Sequence, residues 1–132
     1  MKGYFTDIEK ETVANNDFRR VLYTGKHTQL VLMSLAPNEE IGMEIHNDND
    51  QFFRFESGAG KVVIDDTTYQ VKDGSAVIVP AGARHNVINT SDTESLNLYT
   101  LYSPPHHKDG IVRATKAEAE ANDEEFDGTT SE

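Results

Sequence analysis

Residues 74–89 read GSAVIVPAGARHNVIN, and this stretch decides the predicted fold. Residues 75–80 are rich in valine and isoleucine, which favour strands because their branched side chains pack well on a pleated surface. Pro80 ends this run, since proline cannot donate a hydrogen bond to a paired central strand, and Gly82 permits the turn that follows. A second run, RHNVINT at residues 84–90, has the same strand composition. The stretch therefore predicts two strands joined by a Pro-Ala-Gly turn.

Short runs of this kind recur on both sides, each bounded by turn residues such as glycine, proline, asparagine or aspartate. The further runs are residues 18–24, 29–36, 41–46, 51–57, 61–65, 68–71 and 94–102. About nine short strands at regular spacing, with no helix between them, are typical of an antiparallel sandwich or barrel and not of a parallel α/β sheet. We therefore predict an all-β fold.

The strand pattern divides the chain into three predicted segments: an N-terminal arm at residues 1–17, a barrel at 18–103, and an acidic C-terminal loop, short helix and tail at 104–132. The arm is polar, and we expect a loose arm or an edge strand. Residues 115–118, TKAE, form a capping box leading into AEAEAN, which predicts a short C-terminal helix of marginal stability. Residues 123–132 have a polar, acidic composition that is typical of disorder.

Four side chains with metal-binding chemistry can meet inside such a barrel. Glu44 and His46 are two residues apart on a predicted strand, so they project from the same face. A tight polar turn follows, and the hairpin brings Gln51, at the start of the next strand, beside its partner strand. His85 arrives separately, after the Pro-Ala-Gly turn. Two imidazoles and one carboxylate suit divalent iron, manganese, zinc, nickel or cobalt, and Gln51 would add a neutral carbonyl oxygen.

Two stretches of the chain resemble the two sequence motifs of the cupin superfamily. The second motif of that family is a Gly, five residues, Pro-x-Gly, two residues, a His, three residues and an Asn. It is matched in full by Gly74, Pro80, Gly82, His85 and Asn89. The first motif is a Gly, then His-x-His, then a Glu and a closing Gly, and residues 42–58 match it with two departures. Glu44 stands where the first His is expected, and Gln51 stands where the Glu is expected.

The resemblance implies a double-stranded β-helix, or jelly-roll, cupin barrel in a small single-domain protein that looks like mannose-6-phosphate isomerases. It also implies one divalent transition metal held by Glu44, His46, Gln51 and His85, because the two departures move the carboxylate without removing it. These ligands resemble the 2-His-1-carboxylate triad of non-haem iron sites, but iron, manganese, zinc, nickel and cobalt remain alternatives. Cupins commonly dimerise through N-terminal strands, so the resemblance implies a homodimer in which residues 1–24 pair or exchange between chains.

Three functions remain open from the sequence. The first, which we favour, is a metalloenzyme acting on a small molecule, either a sugar-phosphate isomerase-like protein or an iron-dependent dioxygenase of small organic acids or phenols. The second is a non-catalytic module that binds a small molecule or sugar, or serves as a sensor. The third is a stable barrel with a vestigial metal site. For an isomerase, Arg84 is the candidate substrate anchor for a phosphate, and the sequence assigns no catalytic base.

Several of these residues also have a plain structural interpretation. Glu44 could pair with Arg54 or Arg84, although strand alternation points Arg54 outward if Gln51 points inward. Gln51 could instead hydrogen-bond to the backbone or to His85.

Other polar and aromatic residues are weaker candidates. His106 and His107 follow two prolines, and we predict a solvated loop there in preference to a loop that covers the mouth of the barrel. Further candidate pocket residues are Met33, Arg84, Tyr99 and Tyr102.

The charge of the chain excludes several classes of partner. Its net charge is -11, and residues 115–132 hold seven acidic side chains and one lysine. An acidic chain is repelled by nucleic-acid phosphates and by anionic lipid surfaces, so we predict no nucleic-acid partner and no membrane partner. There is no cysteine, which excludes disulfides and thiolate ligands. No apolar run matches a signal peptide or the roughly 20 residues of a membrane helix, so the default location is the cytoplasm.

Overall fold

The computed structural model describes residues 1–132 as ten strands and two short helices. In chain order the elements are α1 (Ile8–Ala14), β1 (Arg19–Thr24), β2 (Gln29–Leu35), β3 (Glu44–Ile45), β4 (Asp50–Ser57), β5 (Ala59–Ile64), β6 (Thr67–Lys72), β7 (Ala76–Val79), β8 (Arg84–Asn89), β9 (Leu96–Ser103), β10 (Val112–Arg113) and α2 (Lys116–Ala121). Every predicted strand is present, although β3 is shorter than its predicted run, and β10 is additional. Neither helix has the length and apolar character needed to cross a membrane.

The strands form two antiparallel sheets. The larger has six strands in the order β10-β1-β2-β9-β4-β7, and the smaller has four in the order β3-β8-β5-β6. A cluster of 17 buried hydrophobic residues includes Phe53 and Leu98 from the larger sheet and Val62 and Val87 from the smaller. The two sheets therefore share one core between their inner faces. The prediction of an all-β jelly roll with a short C-terminal helix is confirmed.

Strand β4 shows how the sequence sets the inner face of the barrel. Gln51, Phe53 and Phe55 are 3%, 1% and 0% exposed, whereas Phe52 and Arg54 are half-buried on the other face. This is the period of two that a strand imposes. Burying each phenylalanine contributes about 1.5–3 kcal/mol of transfer free energy. Gln51 shares this face, so its amide has to be satisfied by specific partners.

Asn89, the last residue of the second motif, has a structural role. Its Nδ2 donates to the carbonyl oxygens of Leu35, Ala36 and Glu94 at 3.1, 3.0 and 2.9 Å. Its Oδ1 accepts a hydrogen bond from the N–H of Ser91 at 3.0 Å. One buried side chain therefore ties together the ends of three strands, which accounts for an Asn at this position without any contact to the site.

The structure corrects the N-terminal prediction, because residues 8–14 form helix α1 and not a loose arm or an edge strand. Asn97 of β9 donates through Nδ2 to the carbonyl oxygens of Thr12 and Asn15, both at 2.9 Å. Thr12 is fully buried in this contact. The helix is thus held by a residue more than eighty positions later in the chain, which a local sequence pattern does not reveal.

Strand β1 pairs with β2 on one side, but on the other side β10 pairs with it only at Arg19 and Arg20. The rest of that side of β1 is not paired with a strand of the same chain. The homodimer through residues 1–24 stays a prediction.

The C-terminal helix begins with the predicted cap. Thr115 Oγ1 accepts a hydrogen bond from the N–H of Glu118 at 3.1 Å, and the Glu118 carboxylate accepts one from the N–H of Ala114 at 3.1 Å. The first bond satisfies an N–H group that the first turn of a helix leaves without a partner, and the second ties the residue before the cap to that turn.

The predicted disorder of residues 123–132 is wrong. The N–H of Phe126 donates to the carbonyl oxygen of His106 at 2.9 Å, and the N–H of Ser131 donates to that of Thr24 at 2.9 Å. The tail therefore lies along the barrel beside the loop that follows β9. Its acidic composition did not indicate these backbone contacts.

Candidate metal centre

Strands β3 and β8 bring together Glu44, His46 and His85, which we call the donor cluster. Glu44 pairs directly with His85 across the two strands, and His46 immediately follows β3. One donor atom from each side chain lies within 4.8 Å of the other two. Glu44 Oε2 and His46 Nε2 are 2.7 Å apart, and the ring centroids of His46 and His85 are 5.2 Å apart. Three of the four predicted ligands therefore lie within reach of one ion.

The local sequence explains this placement. Ile45 is exposed, whereas Glu44 and His46 on either side of it turn inward, as the period of a strand requires. Gly82 has a φ of +90°, a left-handed conformation that favours glycine, and its N–H donates to the carbonyl oxygen of His46 at 2.9 Å. The turn of the second motif therefore positions His46 as well as the His85 that follows it.

A backbone contact fixes the tautomer of His85. Its Nδ1 lies 3.2 Å from the carbonyl oxygen of Ala83, and a carbonyl can only accept, so Nδ1 carries the proton. The lone pair is then on Nε2. Histidine metal ligands usually have this arrangement, with one ring N–H held by the protein and the other nitrogen free for the metal.

Gln51 approaches from the opposite sheet, where it pairs with Tyr102 of β9. Its Nε2 donates to Thr100 Oγ1 at 3.0 Å, while its Oε1 is buried and has no hydrogen-bond partner. The ring of Tyr102 lies 5.8 Å from the ring of His46, which places this part of β9 beside the donor cluster. Gln51 thus offers a free carbonyl oxygen, and its role as a fourth ligand stays a prediction.

The residues at this site fit a bound divalent metal. His46 Nε2 and Gln51 Oε1 are both buried without a hydrogen-bond partner. His46 Nε2 does lie 2.7 Å from Glu44 Oε2, so Gln51 Oε1 is the atom of the two that is left without any polar partner. Leaving such groups unsatisfied in a protein interior costs about 1–3 kcal/mol each, so a cation that coordinates them would stabilise the fold.

Burial and neighbouring charges set the protonation states that a metal requires. Burial raises the pKa of Glu44, but the contact with His46 and the positive charge of Arg19 outweigh it, and the pKa lies below its usual value. Burial lowers the pKa of His85, and the hydrogen bond to Ala83 offsets this only in part. Near neutral pH, Glu44 is therefore ionised and His85 is neutral, which are the forms that bind metals.

The loop after β9 covers the site, so the prediction of a solvated loop at His106 and His107 is wrong. The ring of His106 lies 4.4 Å from that of His46, and His107 is 4% exposed with its Nε2 3.2 Å from the Tyr102 hydroxyl. Buried Gln29 holds the loop. Its Oε1 accepts hydrogen bonds from the backbone N–H groups of His106 and His107, and its Nε2 donates to the His107 carbonyl oxygen at 2.8 Å. Burial lowers the pKa of both histidines, that of His107 to about 2.

A cavity of about 460 Å³ opens beside the donor cluster. Glu44 and His46 lie in its wall, together with Arg19 of β1, His106 and Ala119 of α2. Its volume is in the range of small-molecule sites. The sequence analysis missed Arg19, because only the folded barrel brings the start of β1 next to β3 and α2.

Arg84, the predicted substrate anchor, lies elsewhere. It precedes His85 on β8, so the alternation that turns His85 inward turns Arg84 outward into solvent. Its side chain lines a separate surface pocket with Met43, Asp65 and Asp66. Arg84 is therefore not placed to anchor a ligand at the donor cluster.

The remaining candidates divide between the site, the core and the outer face. Tyr102 lies at the site, and burial raises its pKa. Met33 is part of the hydrophobic core, and the ring of Tyr99 lies 6.3 Å from that of Phe52 on the outer face of β4. Arg54 forms an ion pair with Glu56 at 3.0 Å and not with a residue of the donor cluster.

The fold and the position of the donor cluster are those of a cupin. Residues 31–102 match the model of the cupin domain family Cupin_2, and the chain belongs to that family.

Similar proteins agree with this assignment. The chain is 49% identical over 126 residues to the uncharacterized protein YrkC of Bacillus subtilis (strain 168), covering 91% of this chain and 67% of YrkC. It is 44% identical over 112 residues to an uncharacterized protein of Acanthamoeba polyphaga mimivirus, covering 83% of this chain and 70% of that protein. A crystal structure of BH2720 from Bacillus halodurans superposes with a TM-score of 0.89 at 43% identity, over 92% of this chain and 96% of that chain.

Proposed function

We propose that this cupin is a metalloenzyme that holds one divalent transition metal at Glu44, His46 and His85, with the carbonyl oxygen of Gln51 as a fourth donor. Its substrate is a small molecule that enters the neighbouring cavity. The observation that carries the proposal is the convergence of one donor atom from each of Glu44, His46 and His85 within 4.8 Å of one another, beside a cavity large enough for a ligand.

Each side chain at the site has a distinct part in this proposal. Glu44 supplies the one negative charge of the donor set, and His85 presents Nε2 because Ala83 holds the proton on Nδ1. The rings of His106 and Tyr102, with centroids 4.4 and 5.8 Å from that of His46, restrict the orientations open to the His46 ring. A bound divalent metal supplies Lewis acidity and, if it is iron, one-electron chemistry.

The donor set favours dioxygenase-like chemistry over sugar-phosphate isomerisation. Two neutral imidazoles and one carboxylate are the combination associated with non-haem Fe(II) oxygenases. The isomerase hypothesis depended on Arg84 as the phosphate anchor, and that side chain points away from the cavity. We therefore favour an iron-dependent dioxygenase of a small organic molecule.

Elemental analysis of the full, untagged chain prepared without oxygen tests the metal site. The variants are Glu44→Ala and His85→Ala, and the matched control is His27→Ala, which removes an exposed histidine outside the cavity. We expect one equivalent of metal per chain in the wild type and in the control, and its loss from both site variants, because each removes a ligand from a small donor set.

The same preparations test the reaction class. Oxygen consumption by the iron-loaded protein with small organic acids or phenols would support a dioxygenase, whereas turnover in the strict absence of oxygen would favour an isomerase. Tight ligand binding without turnover would favour a non-catalytic binding module. A wild type that takes up no iron, manganese, zinc, nickel or cobalt on titration would contradict the metal centre itself.

A further inference from the structure

Arg19 is a cation in the cavity wall without an acidic partner. It is the first residue of β1, is half-buried, and lines the cavity with Glu44, His46 and His106. Its Nε is buried and makes no hydrogen bond. A guanidinium group stays charged at any physiological pH and offers five donors, so burying it without partners costs free energy.

The other arginines of the chain do not share this situation. Arg20 pairs with Asp17 at 3.6 Å, Arg54 pairs with a glutamate of its own strand at 3.0 Å, and Arg113 pairs with a glutamate of the tail at 3.3 Å. Arg84 lies in solvent. Arg19 alone is both partly withdrawn from water and left without a carboxylate, although its Cζ lies 5.5 Å from the centroid of the Phe18 ring.

The charge of Arg19 reaches the donor cluster. It is one of the causes, after burial and the contact with His46, that set the lowered pKa of Glu44. It adds to the effect of burial in lowering the pKa of His106 and His107. Arg19 therefore lies close enough to β3 and to the loop after β9 to influence their titratable groups.

We infer that Arg19 is a specificity-determining residue that anchors a carboxylate of the substrate, so that the cavity takes a small carboxylic acid whose other polar end reaches the donor cluster. The inference rests on the proposed function only for the binding of that second polar group to a metal at the donor cluster. A guanidinium group matches a carboxylate through two parallel N–H···O bonds in one plane.

Charge selects a carboxylate over a phosphate ester. Glu44, Glu120 and Asp123 face the same cavity, while Lys116, the other cation in its wall, lies 3.9 Å from Glu120 and is already paired. Each added negative charge on a ligand meets these carboxylates, so a singly charged planar group is favoured over a doubly charged tetrahedral one.

Binding of lactate, followed by NMR chemical-shift titration of the full chain with and without metal, tests the inference. Lactamide, in which a neutral amide replaces the carboxylate of lactate, is the uncharged control ligand. Inorganic phosphate is the competing anion. The variants are Arg19→Gln, which removes the charge, and Arg19→Lys, which keeps the charge but loses the planar fork. The control is Arg20→Gln, whose side chain is 51% exposed and pairs outside the cavity.

We expect Arg19→Gln to weaken lactate binding about tenfold or more, Arg19→Lys to weaken it less, and Arg20→Gln to leave it unchanged. Lactamide and phosphate should bind the wild type more weakly than lactate does. Equal lactate affinity in the wild type and in Arg19→Gln would overturn the inference, as would a preference for phosphate.

Metal content and thermal unfolding, measured on every sample, separate this inference from the proposed function. A wild type that binds lactate through Arg19 but takes up no metal would overturn the metalloenzyme and leave the carboxylate anchor standing. A metal-loaded wild type whose lactate binding does not depend on Arg19 would overturn the carboxylate anchor and leave the metal centre standing. Loss of metal from a folded Arg19→Gln protein would assign Arg19 to the metal site and overturn its role as an anchor.

Discussion

The inner and outer ends of the cavity are built in different ways. The inner end is the donor cluster, supplied by β3 and β8 within the two motif stretches at residues 42–58 and 74–89. The outer end combines Arg19 from the start of β1, His106 from the loop after β9 and Ala119 from α2. Strand alternation and turn geometry set the inner end, whereas contacts between distant segments set the outer end. The donor atoms therefore depend on local sequence patterns, whereas the rest of the cavity wall depends on long-range contacts.

The largest effect on stability is expected at the inner end, from Phe53→Ala. Phe53 is almost completely buried, and its ring lies 6.4 Å from that of Phe55 and 6.3 Å from that of His85. Removing it should lower the free energy of unfolding by about 3–5 kcal/mol, because a cavity remains. Urea unfolding measures this, with Phe52→Ala on the outer face of the same strand as the control. Equal losses in the two variants would contradict this expectation, because stability would then not depend on which face of β4 the side chain occupies.

A smaller effect is expected at the outer end, from Gln29→Ala. Gln29 makes three hydrogen bonds to the backbone of His106 and His107, and the variant leaves buried backbone groups without partners. The free energy of unfolding should fall by about 1–3 kcal/mol, and amide hydrogen exchange should rise in residues 104–107, with no change in metal content. Gln70→Ala, at an exposed position on β6, is the control. Metal loss on Gln29→Ala would show that the two ends are not independent.

A further effect at the outer end is a change in the slope of stability with pH, which is at most about 1.4 kcal/mol per pH unit. Burial lowers the pKa of His107 to about 2, against about 6.5 in an unfolded chain. As pH falls below about 6.5, the unfolded state takes up a proton that the folded state does not, so stability is lost. Between about pH 6.5 and 4.5, the metal-free wild type should lose up to about 1.4 kcal/mol per pH unit more than His107→Gln does. Parallel stability curves for the two proteins would show that the loop is already open to water.

The inner end could be predicted from the sequence because its determinants are local. Glu44 and His46 share a face through a spacing of two, and His85 follows a turn whose proline and glycine have few structural alternatives. The same rule of alternation excludes Arg84, which is adjacent to His85 and therefore faces the other way. The position of Arg84 within the second motif suggested it as a substrate anchor, and the direction of its side chain on β8 shows that this prediction is wrong.

The outer end could not be predicted because its determinants are far apart in the chain. Gln29 reaches His107 across 78 residues, and Asn97 reaches Thr12 across 85. The polar composition of the N-terminal arm and of the acidic tail carries no information about such partners. The role of Arg19 could not be predicted either, since nothing in the sequence around it distinguishes it from Arg20.

The side chain of Gln51, which donates to Thr100, also has a consequence for charge balance. Gln51 is an amide where the usual cupin motif has a carboxylate, and Glu44 supplies the carboxylate instead, so the donor set keeps a single negative charge. A divalent ion held by this set would leave one unit of positive charge uncompensated, whereas Gln51→Glu would neutralise it. Because an uncompensated positive charge attracts a counter-ion, we expect the metal-loaded wild type to bind anions more tightly than metal-loaded Gln51→Glu does.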